Sequence, residues 1–235
     1  DHSKLSSFRC FAAGGSAAPE ELLKACSEKL PGFKLCPGYG LTDACGMTST
    51  TISLEEALSH KGSVGRAIPL IEAKVVDSSE RELPFGEAGE LLIRGGLALK
   101  EYWNNPEATR KTIVNGWVHT GDVAKMNEEG YVYILDRIKD MINRGGEKIW
   151  SLEVENVLYR NPKVLEAVAV AVPDTIFGEE VKAVIVLKPG AKATPEEIQE
   201  FCSRYLAKYK VPKYIEFRDA LPRNPAGKVV KGELK

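Results

Sequence analysis

The sequence has no excess of charge of either sign: 32 lysines and arginines stand against 33 aspartates and glutamates, for a net charge of -1 at pH 7. That balance removes the long-range attraction on which general nucleic-acid and membrane-surface binders depend. Long apolar runs are also missing. The longest in the second half, Ala167 to Val172, falls far short of the ~20 residues that span a bilayer. No basic, apolar-cored signal peptide opens the chain, which starts at Asp1 rather than Met, so a piece of a longer polypeptide is expected. Cysteine is sparse and unpatterned: five residues, at 10, 26, 36, 45 and 202, with no Cys-x-x-Cys pair and an odd total. Reduced, buried thiols in a cytosolic protein are expected, with neither a closed disulfide set nor a zinc site. Internal repeats and low-complexity tracts are lacking. So are the Gly-x-x-x-x-Gly-Lys-Ser/Thr and Gly-x-Gly-x-x-Gly loops that cradle phosphates.

What is present is an ordinary globular composition, 43% hydrophobic and 28% charged over 235 residues, enough for one large domain or two modest ones. Pro19 fits a first helical position, Glu20 and Glu21 suit a first turn, and Leu22, Leu23, Cys26 and Leu30 share a helical face. Short strand-like runs follow at Ala73–Val76, Glu90–Ile93 and Tyr131–Leu135, separated by turns such as Leu83-Pro84-Phe85-Gly86. They predict a small β subdomain. After Asp136 the rhythm changes. Ser151 is a candidate N-cap for a helix with Val154, Val157 and Leu158 on one face. Val168–Val172 and Val181–Leu187 read as strands. Thr194-Pro195-Glu196-Glu197 reads as a capping box, opening a helix with Ile198, Phe201, Cys202 and Tyr205 on its apolar face. A last strand covers Tyr214–Phe217. The order helix, strand, strand, helix, strand predicts a compact α+β unit, with a boundary near Leu135 to Asp140.

Four segments carry groups with chemical potential. Gly38-Tyr39-Gly40-Leu41-Thr42-Asp43 combines close backbone approach, a flat ring, a hydroxyl and a hard oxygen ligand suited to Mg²⁺. Alone, it also reads as a Gly-rich turn with a packed tyrosine. Gly116 to Asp122 ends in a carboxylate that could accept both hydroxyls of a ribose; the plain alternative is an Asx turn, with His119 bonding locally. Asp136 to Lys148 is charge-rich, either a solvated loop or a hinge with an anion-contacting arginine and a glycine turn. Leu221 to Lys228 is a rigid Pro- and Gly-bearing loop that presents a lysine; the plain alternative is a surface lysine near a chain end. Ala13-Gly14-Gly15-Ser16 is too short to claim as a phosphate cradle by itself.

Together, in this order, these segments resemble the adenylate-forming superfamily of acyl-CoA synthetases, aryl-acid-AMP ligases, luciferases and peptide-synthetase adenylation domains. Gly14-Gly15-Ser16, Gly38 to Asp43, Gly89-Glu90-Leu91-Leu92-Ile93-Arg94-Gly95, Thr120-Gly121-Asp122, Asp136 to Lys148 and Gly227-Lys228 all fall where that family carries its motifs. The resemblance covers essentially the whole chain. It implies an α/β and α+β architecture: residues 1–135 as the end of the large AMP-binding domain, including the small β subdomain, and residues 136–235 as the small mobile C-terminal domain. The family's phosphate loop and most of its acid-binding wall would then lie upstream.

The family reaction joins a carboxylate to the α-phosphate of ATP, releases pyrophosphate, and passes the acyl group to a thiol, usually that of CoA. By resemblance, Tyr39 stacks on adenine, and Gly14, Gly15, Ser16, Gly38 and Gly40 line the nucleotide and acyl carboxylate. Thr42 bonds phosphate and Asp43 holds Mg²⁺. Asp122 takes the ribose hydroxyls with help from Arg137, and Lys228 bridges phosphate and carboxylate oxygens in the first step. Lys139 is the hinge, and Gly146, Phe177 and Tyr209 contact CoA. Asp43 departs from the glutamate usual in the family, so a shorter arm must reach the metal. Arg144 to Ile149 and Ser151 to Val157 are similar to acyl- and aryl-CoA ligases. The resemblance therefore implies a cytoplasmic AMP-forming acyl-CoA synthetase with ATP, Mg²⁺ and CoA as partners, of the kind found in fatty acid metabolism. The acid itself is open among fatty, aromatic and alicyclic classes. Alternatives are an aryl-acid-AMP ligase that loads a carrier-protein thiol and, for the chain as it stands, a nucleotide-binding piece without turnover.

Overall fold

The structure, a computed structural model, describes residues 7, 9–15, 20–30, 34–225 and 227–235, with backbone alone for 20–22. Ser16 and Pro19 lie outside these residues, as do the side chains of Glu20, Glu21 and Leu22. The chain divides into two compact units, Asp1–Leu135 and Asp136–Lys235.

The first unit contains two sheets. One has strand order β1-β2-β3-β4, from β1 (Cys10–Ala13), β2 (Lys34–Leu41), β3 (Gly46–Thr50) and β4 (Arg66–Ala67), with α1 (Glu20–Lys29) following β1 and α2 (Leu54–Ser59) following β3. β1 and β2 are parallel, with Ala13 opposite Pro37, so Gly14 follows the carboxyl end of β1 beside Gly38. β2 and β3 are antiparallel. Gly40 is required there by its neighbour: a Cβ on it would come within 1.9 Å of the Gly46 carbonyl oxygen. The second sheet is built from β5 (Ile71–Val76), β6 (Gly89–Gly95), β7 (Ile113–Val114), β8 (Trp117–Met126) and β9 (Val132–Arg137), in order β5-β6-β8-β7 with β9 also on β8. The helix α3 (Pro106–Thr112) precedes β7, capped by the Asn105 side chain on the Ala108 amide with Pro106 at its first position. Val75, Leu91, Ile93 and Val118 form this sheet's buried face, with Ala44 packed among them.

The strands expected at Ala73–Val76 and Glu90–Ile93 are found in longer form, the one expected at Tyr131–Leu135 is shifted to Val132–Arg137, and the helix after residue 19 exists with Leu23 buried. One reading changes: Gly116 to Asp122 is not a free turn but mostly the start of β8. The glycine and polar residues that suggested a turn mark an irregularity inside the strand.

The second unit places a five-stranded sheet at its centre. β10 (Ile142–Arg144) and β11 (Glu147–Ile149) form a tight hairpin, α4 (Ser151–Tyr159) follows, and β12 (Val164–Asp174) pairs antiparallel with β13 (Gly178–Leu187). α5 (Pro195–Ser203) leads to β14 (Tyr214–Phe217), which lies parallel to β13. The alternating run from Ala167 to Val172 explains the layers. Ala167, Ala169 and Ala171 face the side where Val154, Leu158, Ile198 and Cys202 of α4 and α5 pack close. Val168 and Val170 face the other side, where Leu221 and Leu234 cover them. Small residues admit helices to one face, and large residues hold the C-terminal segment on the other.

Helix ends differ in detail from the pattern. Ser151 is the first helical residue rather than the cap, and its hydroxyl goes to Asp136 Oδ1. Thr194 does cap α5, accepting the Glu197 amide, but the Glu197 carboxylate reaches Lys163 at 2.8 Å instead of completing the box. α5 ends at Ser203, which leaves Tyr205 exposed against Phe201. All five cysteines are free, and Cys10 and Cys45 are exposed, which corrects the expectation of buried thiols. Burial pushes the Cys36 and Cys202 thiols up to about 11. Among the described residues, no helix is long and apolar enough to cross a membrane.

Candidate active site

In the first unit, β2 of one sheet and β8 of the other bring two candidates together: the Tyr39 hydroxyl donates to Asp122 Oδ2. Asp122 is 5% exposed. A carboxylate has room for about four hydrogen bonds, which suits it to a diol.

The irregularity in β8 sets where Asp122 points. Glu90 pairs with Val123 and Leu92 with His119, so Thr120, Gly121 and Asp122 stand opposite Leu91 alone. Such a bulge leaves backbone groups without ladder partners and re-aims a side chain. Here Glu90 and Thr120 satisfy them. Glu90 Oε1 accepts the Gly121 amide at 3.1 Å, and its Oε2 is 3.0 Å from His119 Nδ1. Thr120 Oγ1 donates to the Leu91 carbonyl at 2.7 Å and accepts the Asp122 amide at 3.1 Å. Gly121 has φ 69, the left-handed conformation that glycine adopts without steric cost. The expected local bonding of His119 is replaced by a bond across strands, to Glu90 of β6.

Thr42 and Asp43 open a 3₁₀ turn, Thr42–Ala44, directly after β2. Thr42 is exposed and Asp43 half-buried. Asp43 is braced twice: its carbonyl accepts the Leu99 amide at 2.7 Å, and its Oδ1 accepts the Tyr102 hydroxyl at 2.9 Å. Burial, and then the bond to Asp43, raise the Tyr102 phenol above its usual range, which keeps it a donor. Among the described residues no three acidic, histidine or cysteine side chains converge as a metal cage. A lone carboxylate still fits Mg²⁺, which keeps several waters and takes its other ligands from substrate phosphates.

The glycines divide. Gly14 and Gly15 are exposed, and a Cβ on Gly15 would meet nothing within 4 Å. Gly38 and Gly40 face β3, where a Cβ on Gly38 would lie 3.0 Å from the Ser49 carbonyl oxygen. At Gly40 the missing side chain makes room for the Gly46 backbone of β3.

The remaining candidates belong to the second unit. Arg137 ends β9 and starts a tight turn, its carbonyl accepting the amides of Asp140 and Met141 at 3.0 Å, and Lys139 is exposed in that turn. Gly145 and Gly146 form the β10–β11 turn, both at positive φ, and the Gly145 amide donates to the Phe177 carbonyl at 2.8 Å. Gly146 and Phe177 are thus held near one another. The Arg144 guanidinium lies 3.7 Å from the Phe177 ring centroid and is anchored by Glu180, 2.8 Å to each oxygen. Tyr209 packs partly buried against the α4–α5 core. Lys228 is exposed on a hairpin-like loop: Asn224 and Lys228 exchange bonds through the Asn224 amide and side chain, both at 2.9 Å. A separate open cleft of about 520 Å³, lined by Arg144, Glu180, Gln199, Lys208 and Lys213, contains none of the candidate residues.

Sequence reading missed Tyr102 and gave no role to Glu90. Glu90 stood within a motif already singled out, whereas nothing local marks Tyr102 as a partner of Asp43.

Comparison with known proteins identifies the family. Residues 1–103 match the AMP-binding enzyme family, and residues 153–228 match the AMP-binding enzyme C-terminal domain. A long-chain-fatty-acid–CoA ligase of Escherichia coli O6:H1 is 42% identical over 96% of this chain and 40% of its own length. A ligase of the same kind from Mycobacterium tuberculosis is 41% identical over 97% of this chain and 44% of its own. The chain thus spans about two fifths of the length of these curated relatives. The solved o-succinylbenzoate CoA synthetase of Bacillus subtilis, in complex with its acyl-adenylate intermediate, superimposes with TM-score 0.90 at 36% identity, covering 98% of this chain and 46% of that one. An amide bond synthetase of Marinactinospora thermotolerans does so with TM-score 0.90 at 32% identity, covering 98% and 47%.

Proposed function

The chain belongs to the AMP-binding enzyme family, and from that premise we propose that the polypeptide carrying it converts a carboxylic acid and ATP to an acyl-adenylate and passes the acyl group to CoA. In the first step a carboxylate oxygen attacks the α-phosphorus and pyrophosphate leaves. In the second a thiolate attacks the acyl carbon and AMP leaves. The observation that carries this reading is the pairing of Tyr39 with a buried Asp122 in a strand bulge braced by Glu90 and Thr120. A preorganised carboxylate beside an aromatic ring suits a ribose and its base.

In this reading Asp122 accepts the ribose hydroxyls, Arg137 assists, and Tyr39 offers its ring to adenine. Gly14, Gly15 and Gly38 border the nucleotide, and Thr42 donates to a phosphate oxygen. Asp43, steadied by Tyr102, holds the Mg²⁺ that accompanies ATP. The Lys228 ammonium screens the two approaching anions in the first step, where like charges most oppose reaction. Residues 1–135 act as the end of the nucleotide-binding domain and 136–235 as a mobile domain pivoting at Lys139. In the second step Gly146 and Phe177 border the path of the CoA thiol. The names of the curated relatives favour a fatty acid as substrate.

The test uses a full-length polypeptide carrying this chain, with ATP, Mg²⁺ and a panel of fatty, aromatic and alicyclic acids. Pyrophosphate release that depends on the acid, followed by acyl-CoA once CoA is added, is the expected result. No acid-dependent release overturns the activation step. Release without acyl-CoA, together with acylation of a carrier pantetheine or of an amine, overturns the choice of acceptor.

A further inference from the structure

The loop that carries Lys228 runs directly into a buried ionic cluster of the second unit. Lys231 Nζ lies 2.8 Å from Glu155 Oε1 and donates to Ser151 Oγ at 2.7 Å. The Ser151 hydroxyl donates to Asp136 Oδ1 at 2.9 Å, and its amide donates to Asp136 Oδ2. Asp136 Oδ1 also accepts the Arg137 amide at 2.8 Å. Glu155 Oε1 accepts the amide of Ala169, on the outer strand β12, at 3.0 Å. Asp136, Ser151 and Glu155 are 3%, 0% and 8% exposed.

Two carboxylates this deep are costly without a cation, and Lys231 is the cation paired with Glu155 and linked to Asp136 through Ser151. Burial raises both acids above their usual range, while Lys231 pulls them back. A hydrophobic core of the same volume would serve stability equally well, because a buried ion pair recovers little beyond its own desolvation. The cluster does something a hydrophobic core cannot: it links specific groups at fixed distances. One end is Asp136, whose carboxylate holds the first amide of the Arg137–Lys139 turn. The other is Lys231, three residues beyond Lys228. Leu221 and Leu234, on either side of this loop, are buried against Val168, Val170, Val184 and Val186. The loop between is tied by Arg223, which reaches the Gly227 carbonyl at 2.7 Å and Glu166 at 2.6 Å.

We propose that Lys231 is a positioning residue, which through Glu155, Ser151 and Asp136 locks the Lys228 loop to the turn at Arg137–Lys139 so that the two move as one body. The functional half of this inference rests on the reading of Lys228 given above. The structural half does not.

The test compares Lys231→Met, Lys231→Arg and the charge-neutral double variant Lys231→Met with Glu155→Gln. On the 235-residue chain, amide hydrogen exchange at residues 227–230 should quicken about tenfold in both Met variants, while β12 and β13 keep their protection. Arginine should restore most of the protection, since it keeps the charge. In a full-length ligase carrying this chain, adenylation should fall roughly 10–100-fold in the Met variants. Acyl transfer from supplied acyl-adenylate should stay within about twofold of the parent. Unchanged exchange at 227–230 overturns the proposal. So does an equal loss of both half-reactions with general loss of β12–β13 protection, which marks a merely structural role. Lys228→Ala is run in parallel. If it leaves adenylation intact, the catalytic reading of Lys228 has failed and the functional half falls with it. If Lys228→Ala is crippled while Lys231→Met is not, only the positioning inference is overturned.

Discussion

Asp122 and Asp43 of the first unit are held by bonds from side chains distant in sequence, and Lys228 and Gly146 of the second are held by the closure of their own turns. Asp122 is buried in a strand, its bulge braced by Glu90 and Thr120, and Asp43 is steadied by Tyr102. Lys228 and Gly146 are exposed on turns closed by short backbone and Asn side-chain bonds, Lys228 by Asn224 and Gly146 by Asn143 at 3.0 Å. Side-chain bracing within a sheet suits a group that must wait for a ligand at one place, since removing one brace shifts the group's aim. A turn suits a group that arrives with a moving body, because what must be rigid there is the base of the turn. The second unit accordingly keeps its buried charges under the Lys228 loop rather than at its tip.

This contrast can be broken by substitution. The largest effect should come from Lys228→Ala, which slows adenylation about 10²–10³-fold, as loss of one transition-state charge stabiliser does. Thioester formation from supplied acyl-adenylate should be much less affected, and rapid-quench measurement of the two half-reactions separates them. Leu234→Ala should destabilise the second unit by about 2–4 kcal/mol, because the side chain is fully buried against the valine face of β12 and β13. A two-step denaturation curve in which only one transition shifts checks this, and a shift of both would erase the distinction between the units. Asp122→Ala should raise the KM for ATP roughly 10–100-fold, the cost of losing charge-assisted bonds to a diol. A fall in kcat alone would contradict its waiting role. Tyr102→Phe should raise the Mg²⁺ concentration for half-maximal rate by about 3–10-fold, since one bond to Asp43 is lost. The smallest effect is on pH dependence. Burial raises Glu155, so its folded form holds a proton more tightly than its unfolded form, and its contribution to stability shrinks as pH rises above 4.5. Glu155→Gln removes that slope. The stability of the variant relative to the parent should therefore increase from acid toward neutral pH, as read by urea unfolding.

Much of this architecture was legible along the chain. The α5 helix announces itself by Thr194, Pro195 and the spacing of Ile198 and Cys202, all local signals. The alternation of alanine and valine from 167 to 172 marks a strand with two unequal faces. The Gly38 to Asp43 and Gly116 to Asp122 segments were legible as candidates, but their meaning was not. Gly40 reads in the sequence as room for a ligand, and only the fold shows that it also makes room for Gly46. His119-Thr120-Gly121-Asp122 looked like a turn, because a bulge uses the same residues as a turn for the same conformational reason. The capping box at Thr194 was half right, since Lys163 offered Glu197 a charged partner that no local pattern announces.

By itself the amino-acid order determined the helices and strands with clear periodicity, and the succession of motifs that marks the family. Those features depend on backbone torsions and side-chain spacing within a few residues. Tertiary structure alone decided that Tyr39 meets Asp122, 83 residues away, that Tyr102 steadies Asp43 across 59, and that Lys231 reaches Ser151 across 80. Such meetings follow from strand register and from which face of a sheet is covered. Register is the sum of many weak packing contacts along a strand, and no single residue encodes it.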